Sequence, residues 1–528
     1  MNHDLDVDVL VVGAGPSGLT VSAALARAGV RTLTIDRHAG TSIFPKATGI
    51  RLRTMEILRS WGIEERLPVR DTEVRLVMSV SPTLAAPQLQ EVPLGVPEDG
   101  RTADVSPSRF AFCAQDQLEP VLLEHVRERG GELRFATELV SMTVDDRGAT
   151  ARLRPLPAGP SYAVRARFVV GADGGGSTVR TAAGIGWSSL GSEGHHLSVL
   201  FRGDLSPVIG DRTYALYATV APGAEGMFVT TGEPGRWIFD REWQPDEGDS
   251  LAAWTPKRVR DAIRAASGLP DLEPRLDGLF PWEFGAAVAA TQQAGPVFLV
   301  GDAAHRTTPR RATGMNTGIA DAHNLGWKLA WVVRGWADPS LLDSYDPERR
   351  PVGVANAQRS LQPAAGDTEG RDLLTDDLGV TYRSAVIDAP GAEAPVTAAR
   401  PGARPGVRAP HAWVEQDGRQ VSLLDLYDDR LTVVTGADGA AWRTAVEDLA
   451  EDGLPIQVVQ LGRDVLDPDG VAAARYGVGT SAAVLVRPDG HVAACLERTH
   501  LPVDALLSHA VDRALGRDEY EGKASMAG

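Results

Sequence analysis

The run Gly13-Ala14-Gly15-Pro16-Ser17-Gly18 has the glycine spacing G-x-G-x-x-G, which suits a backbone that must approach a dinucleotide pyrophosphate. Gly13 permits the tight turn, Gly15 lets the main chain meet phosphate oxygens, and Gly18 lets the following helix lie close on its strand. A helix opening at Pro16 and Ser17 adds unpaired N–H groups and the positive end of its dipole. Asp36 stands about twenty residues on, where a carboxylate accepts hydrogen bonds from ribose hydroxyls and repels a 2′-phosphate, and Arg37 follows it. A glycine turn that binds nothing is the competing reading, and strand, acid and helix together weigh against it. By itself the run leaves FAD and NAD both open.

The elements needed to position these residues are present. Residues 9–12 form a continuous apolar run, the pattern of a strand covered on both faces; residues 19–28 read as a helix stopped at Gly29, and residues 32–35 as a second strand. This is a βαβ start with parallel strands. Buried strands are also expected at 166–170 and 296–300, and helices at 115–129 and 317–335. Alternating segments broken by Gly and Pro occupy 76–100 and 187–282. The predicted fold is α/β: a discontinuous Rossmann-like domain over 1–75, 101–186 and 283–365, with an inserted β-rich substrate domain at 76–100 and 187–282. A linker rich in Ala, Pro and Gly is expected at 385–405. Strands at 431–435 and 482–486 and helices at 442–449 and 503–515 make a small module over 406–516, and the residues from 518 onward are expected to fray.

Composition narrows the partners. With 528 residues, 43% hydrophobic, the chain can bury several cores. Its 53 basic and 70 acidic residues leave a formal charge of -17, which disfavours nucleic acid or an anionic membrane as the main partner. Cys113 and Cys495 are the two cysteines and lie far apart, so neither a disulfide framework nor a cysteine metal site is read, and no metal is expected. The polar start and the lack of an apolar run of about 18 residues lead to the expectation of a cytoplasmic protein.

Two later motifs separate the cofactors. Residues 298–305, containing Gly301, Asp302 and His305, and residues 169–174, containing Asp173 and Gly174 and followed by Ser177, Val179 and Arg180, resemble the G-D and D-G motifs of the FAD-dependent aromatic hydroxylases, the group A flavoprotein monooxygenases. The resemblance implies that Asp302 hydrogen-bonds the ribityl chain of FAD, and that Asp173 lies near the pyrophosphate and the path of the pyridine nucleotide. It continues through Gly314, Met315 and Asn316, then Asp321, Asn324, Trp327 and Lys328, and on to Tyr345, Glu348, Arg349, Arg350 and Pro351. A helix starting at Met315 and Asn316 would aim N–H groups at the flavin pyrimidine edge, where charge gathers on reduction. Arg53 and Gln115 stand where the family places flavin contacts, and Pro309 leads the loop before Gly314. The Rossmann-like domain is therefore expected to bind FAD. Residues 486–490 resemble the thioredoxin-like appendage of phenol-hydroxylase relatives; without Cys-x-x-Cys the module has no thiol redox chemistry and reads as structural or as a homo-oligomer contact.

The chain departs from the family at two points. Arg311-Ala312 replaces a Gly-Gly pair close to the flavin, where side chains would block the ring's swing toward NAD(P)H or force the loop into another φ/ψ region. Lys46 takes the place of Arg in a Pro-Arg-Ala segment, keeping the charge and losing the planar fork. Two functions follow from the resemblance. The first is hydroxylation of a phenolic or polyketide-type small molecule with FAD, NAD(P)H and O2. The second is a non-redox [4+2] cyclisation of the dialkyldecalin synthase type in polyketide antibiotic biosynthesis, with FAD structural. A base that ionises a phenol is expected in the first, yet no residue is assigned as catalytic. His305 and His323 read as packed residues, and Trp237, Trp282 and Trp327 as core or pocket wall.

Overall fold

The computed structural model describes residues 5–68, 74–94, 101–245, 248–362, 373–388 and 402–517. The strand Leu5–Val12 lies in the middle of the first sheet, parallel to Thr32–Ile35 on one side and to Tyr162–Gly171 on the other. Glu132–Arg134 and Val297–Leu299 extend it in parallel on either side. Val9, Leu10 and Val11 expose no surface, as a strand covered on both faces must. Helix Pro16–Arg27 packs so closely on the long helix Gly314–Arg334 that a Cβ on Gly326 would come within 2.6 Å of the Ala24 methyl.

A second sheet of eight strands runs in the order His305–Arg306, Arg275–Ala289, Trp187–Arg202, Arg236–Trp243, Gly226–Thr230, Tyr214–Thr219, Arg75–Ser81 and Gln90–Pro93. Its residues alternate in orientation. Leu197, Val199, Phe201, Phe228 and Phe239 pack with Val259 and Ile263 of helix Pro256–Ser267, while the residues between them turn to the opposite face. The expected substrate domain thus has a helix behind its sheet, and the strand Arg275–Ala289 runs through the boundary expected after residue 282.

The C-terminal sheet orders Ile456–Gln460, Leu431–Thr435, Ala483–Val486 and Val492–Leu496, the first pair parallel and the others antiparallel. Helices Ala440–Glu451 and Val503–Ala514 flank it, a thioredoxin-like βαβ–ββα arrangement. Its Val433, Trp442, Leu485 and Leu507 join Val21, Leu325 and Trp331 in one apolar core, so this module is docked on the nucleotide-binding part and does not hang from it. Of the expected linker, residues 389–401 lie outside the described residues, as do those from 518 onward. At the described margin before it, Val386 and Ile387 are buried in that same core. Among the described residues no helix is long and apolar enough to cross a membrane.

Candidate active site

The first sheet and the face of the second that lies opposite its helix enclose a cavity of about 2870 Å³. Gly13, Gly15, Pro16, Ser17, Asp36, Arg37, Lys46, Gln115, Asp173, Gly174, Asp302, Pro309, Gly314 and Met315 all line it. Sequence spacing therefore located one wall of a real space. Gly13 has φ +106, and a Cβ there would lie 2.3 Å from the Ala172 carbonyl oxygen; no side chain fits. Gly18 is packed behind the turn, where a Cβ would strike the Gly13 carbonyl, and Gly301 packs against Ser17 Oγ. At Gly15 an added Cβ finds no atom nearer than 4.0 Å, and the helix beginning at Pro16 has no side-chain cap. Its first N–H groups face the open space, the arrangement that receives a pyrophosphate.

The acidic residues divide by their partners. Asp36 accepts hydrogen bonds from the N–H groups of Ala14 and His38, both at 2.8 Å, and so also fixes the glycine turn. Asp173 accepts from Ser177 Oγ at 2.5 Å, from Thr178 N–H at 2.7 Å and from Val179 N–H at 3.1 Å. Its carboxylate therefore caps the short helix Thr178–Ala182, and Gly174, at φ +80, turns the chain beneath it. Asp302 differs: it makes no hydrogen bond or ion pair with a described residue, it faces the cavity, and the enclosing protein pushes its carboxyl pKa up, against the opposing charges of His305, Lys46 and Arg306. An acceptor open to the cavity in this way fits a ligand that brings hydroxyl donors.

Arg53 and Asn316 do not stand on the cavity wall. The Arg53 guanidinium donates to the Asp489 carbonyl at 2.5 Å and to Glu56 at 3.1 Å, while Arg51 and Leu52 line the cavity beside it. Asn316 is spent inside the protein, accepting from Arg51 N–H and donating to the carbonyls of Gly49 and Ala312. Gln115 donates to Glu119 at 2.7 Å, and Glu119, raised in pKa by burial, accepts from Ser42 N–H at 2.5 Å. His305 is packed as expected, its Nε2 2.6 Å from Asp321.

In the loop before Gly314, Arg311 has φ 70 and Ala312 has φ 50. Both residues thus occupy the left-handed region that favours glycine, at a cost of about 1 kcal/mol or more per residue. Neighbouring Arg310 leaves the loop to form a two-pronged ion pair with Glu193, both contacts 2.6 Å, with its guanidinium carbon 4.8 Å from the Phe284 ring centre. Lys46 sits over Phe280, 5.4 Å from its centre.

The second sheet supplies what sequence reasoning missed. His196, Ser198, Asp240 and Trp282 form one hydrogen-bonded group on its cavity face. The signal was present as strict alternation, since His196 and Ser198 interleave with the core residues Leu197 and Val199; only the pairing of three distant strands brings Asp240 and Trp282 to them. Leu216, Met227, Val229 and Ile238 make the rest of that face apolar, and the C-terminal module reaches the cavity through Trp413.

Comparison with known proteins agrees with this geometry. Residues 6–360 match the FAD binding domain and residues 402–518 the aromatic-ring hydroxylase C-terminal domain. The chain is 38% identical to tetracenomycin B2 monooxygenase-dioxygenase of Streptomyces olivaceus, over 97% of this chain and 99% of that protein. It is 36% identical to aklavinone 12-hydroxylase RdmE of Streptomyces purpurascens, over 93% and 95%. The structure superimposes on aklavinone-11 hydroxylase, solved with FAD and aklavinone, with a TM-score of 0.88 and 36% identity, covering 98% of this chain and all of that one. A glycine turn open to pyrophosphate, an unpartnered Asp302 and an uncapped helix at Gly314, arranged around one cavity, all fit FAD, and the chain belongs to the FAD-dependent aromatic-ring hydroxylases.

Proposed function

We propose that this protein is a monooxygenase that places one oxygen atom of O2 on an aromatic ring of a polyketide-type substrate. NAD(P)H supplies two electrons, and the second oxygen atom leaves as water. The observation that carries this reading is the continuity of the cavity, whose one wall is the FAD cradle and whose other wall is an apolar and aromatic sheet face. Bound FAD supplies the electron transfer and oxygen activation. The protein's own part is placement. With FAD bound, Asp302 would accept from ribityl hydroxyls and the N–H groups at the start of helix Gly314–Arg334 would serve the negative edge of the ring, while Phe280, Trp282 and Phe284 offer flat surfaces to a fused-ring substrate. The apolar residues around them keep water from the reacting atoms.

The alternative, a cyclase with structural FAD, drew on Arg311 and Ala312 re-routing the flavin loop. The side-chain block of the flavin swing and the Lys46 exchange belong to the same argument, and what weighs against it is the likeness to hydroxylases and monooxygenases over nearly the whole chain. Anaerobic stopped-flow reduction of the FAD-loaded protein by NADH and NADPH, with and without hydroxyanthraquinones, tests the proposal. Flavin bleaching accelerated by the aromatic ligand is the expected result. Flavin that stays oxidised under every condition would overturn it.

A further inference from the structure

We propose that His196 is the base that removes a proton from a phenolic hydroxyl of the substrate, and that Asp240 positions it. The inference rests on the aromatic-substrate reading and assigns the base that the reading requires. Strand register makes the arrangement. His196 is paired across to Trp282, and Ser198 to Asp240, so the period of two sets these four side chains on the cavity face while Leu197 and Val199 enter the core behind. A polar cluster on a face otherwise lined by aliphatic residues must earn its place by pairing or by function.

The pairing accounts for every polar group except one. Asp240 receives His196 Nδ1 at 2.6 Å on one oxygen, and Ser198 Oγ at 2.6 Å and Trp282 Nε1 at 3.1 Å on the other. Among the described residues its only salt-bridge partner is His196. The carboxylate therefore favours Nδ1 as the protonated nitrogen and leaves the Nε2 lone pair as acceptor. His196 lines the cavity with a side chain 20% exposed. Its ring lies 4.9 Å from Trp282 and 5.0 Å from Phe284, which fixes its plane.

The cluster also borders the flavin loop. Arg310 of that loop covers Phe284, and its ion pair with Glu193 ties it to the strand that carries His196. Of the other charges on the neighbouring strands, Arg306 is paired with Glu283 at 2.8 Å and Glu242 accepts from Gln244. In the reaction the substrate O–H bond breaks, its electron pair stays on oxygen, and the proton moves to Nε2. Asp240 stabilises the resulting imidazolium through Nδ1–H. The phenolate pushes electron density to the ring carbon that takes up oxygen; that carbon then loses its own proton, which goes to the oxygen atom that leaves as water, and the proton on Nε2 returns to the phenol oxygen as the ring regains aromaticity, so the base is not consumed.

Alizarin, a dihydroxyanthraquinone whose visible band shifts to longer wavelength on ionisation, tests this by pH titration while bound to the FAD-loaded full chain. Ionisation of the bound dye is expected at least about one pH unit below that of the free dye, and His196→Gln and Asp240→Asn should each return it toward the free value. If His196→Gln fails to fold, the near-isosteric Asp240→Asn carries the test. Bound dye that ionises at the same pH in the wild type and in both variants would overturn the assignment of His196 while leaving the substrate class intact. A wild-type protein that binds no dye would overturn the substrate class, and this inference with it.

Discussion

Two regions of the molecule hold acidic side chains in opposite ways. Where the C-terminal module meets the FAD-binding part, Glu348 accepts from Lys328 at 2.8 Å, from both terminal nitrogens of Arg487 at 2.7 and 2.8 Å, from Asn324 at 2.8 Å and from Ser384 at 2.7 Å. Asp489 pairs with the same Arg487, and Glu348, Lys328 and Arg487 expose nothing. On the cavity wall, Asp302 has no such partner among the described residues. A buried charge with all its partners is a structural fastener; a carboxylate open to the cavity with none among the described residues is a place for a ligand. The two can be told apart by what each mutation removes.

The largest effect is expected at the junction. Glu348→Ala would leave Lys328 and Arg487 buried without their anion and should cost about 3–5 kcal/mol in urea denaturation. A loss under about 1 kcal/mol would break the distinction. Asp302→Ala should do the reverse, weakening FAD by about ten- to a hundredfold in a fluorescence titration, with the denaturation midpoint of the flavin-free protein unchanged. Lost stability with unchanged FAD affinity would place Asp302 among the fasteners.

Acid should sharpen the contrast. Burial, aided by the charge of Arg53, lowers the His323 pKa to about 3 from its usual 6.5. Between those values the unfolded chain binds a proton that the folded chain does not, so stability is complete above pH 6.5 and is lost as pH falls toward 3. The slope from this group is up to about 1.4 kcal/mol per pH unit, and His323→Gln should flatten the dependence of the urea midpoint between pH 7 and pH 5. An equal slope in the variant would contradict the assignment. The smallest effect belongs to the flavin loop. Arg311→Gly relieves a left-handed side chain and should raise stability by up to about 1 kcal/mol in thermal melts, whereas a fall would mean that contacts of the arginine outweigh its strain.

What the sequence made legible follows from how local each signal is. The glycine turn, Asp36 and the strands around them are written within about thirty residues, because a βαβ unit places its own loop. Asp302 was legible through its motif. The side chains of Arg53 and Asn316 were not, since both are taken by partners more than two hundred residues away. The His196 cluster was hidden for a related reason: alternation shows which residues share a face, but not which distant strand brings a carboxylate beside a histidine. Val386 and Ile387 dock in the shared core, which the neighbouring composition rich in Ala, Pro and Gly did not signal.

The central claim, that the cavity joins a flavin cradle to an oxygen-accepting aromatic site, is tested most directly with ¹⁸O2. FAD-loaded protein, NAD(P)H and a panel of hydroxyanthraquinones and naphthacenequinones would be incubated under labelled oxygen and the products analysed by mass spectrometry. The account predicts one labelled oxygen atom in the ring product for each NAD(P)H consumed. Oxygen consumption that yields only labelled hydrogen peroxide, or a ligand-independent reaction with no labelled product from any aromatic compound, would contradict it.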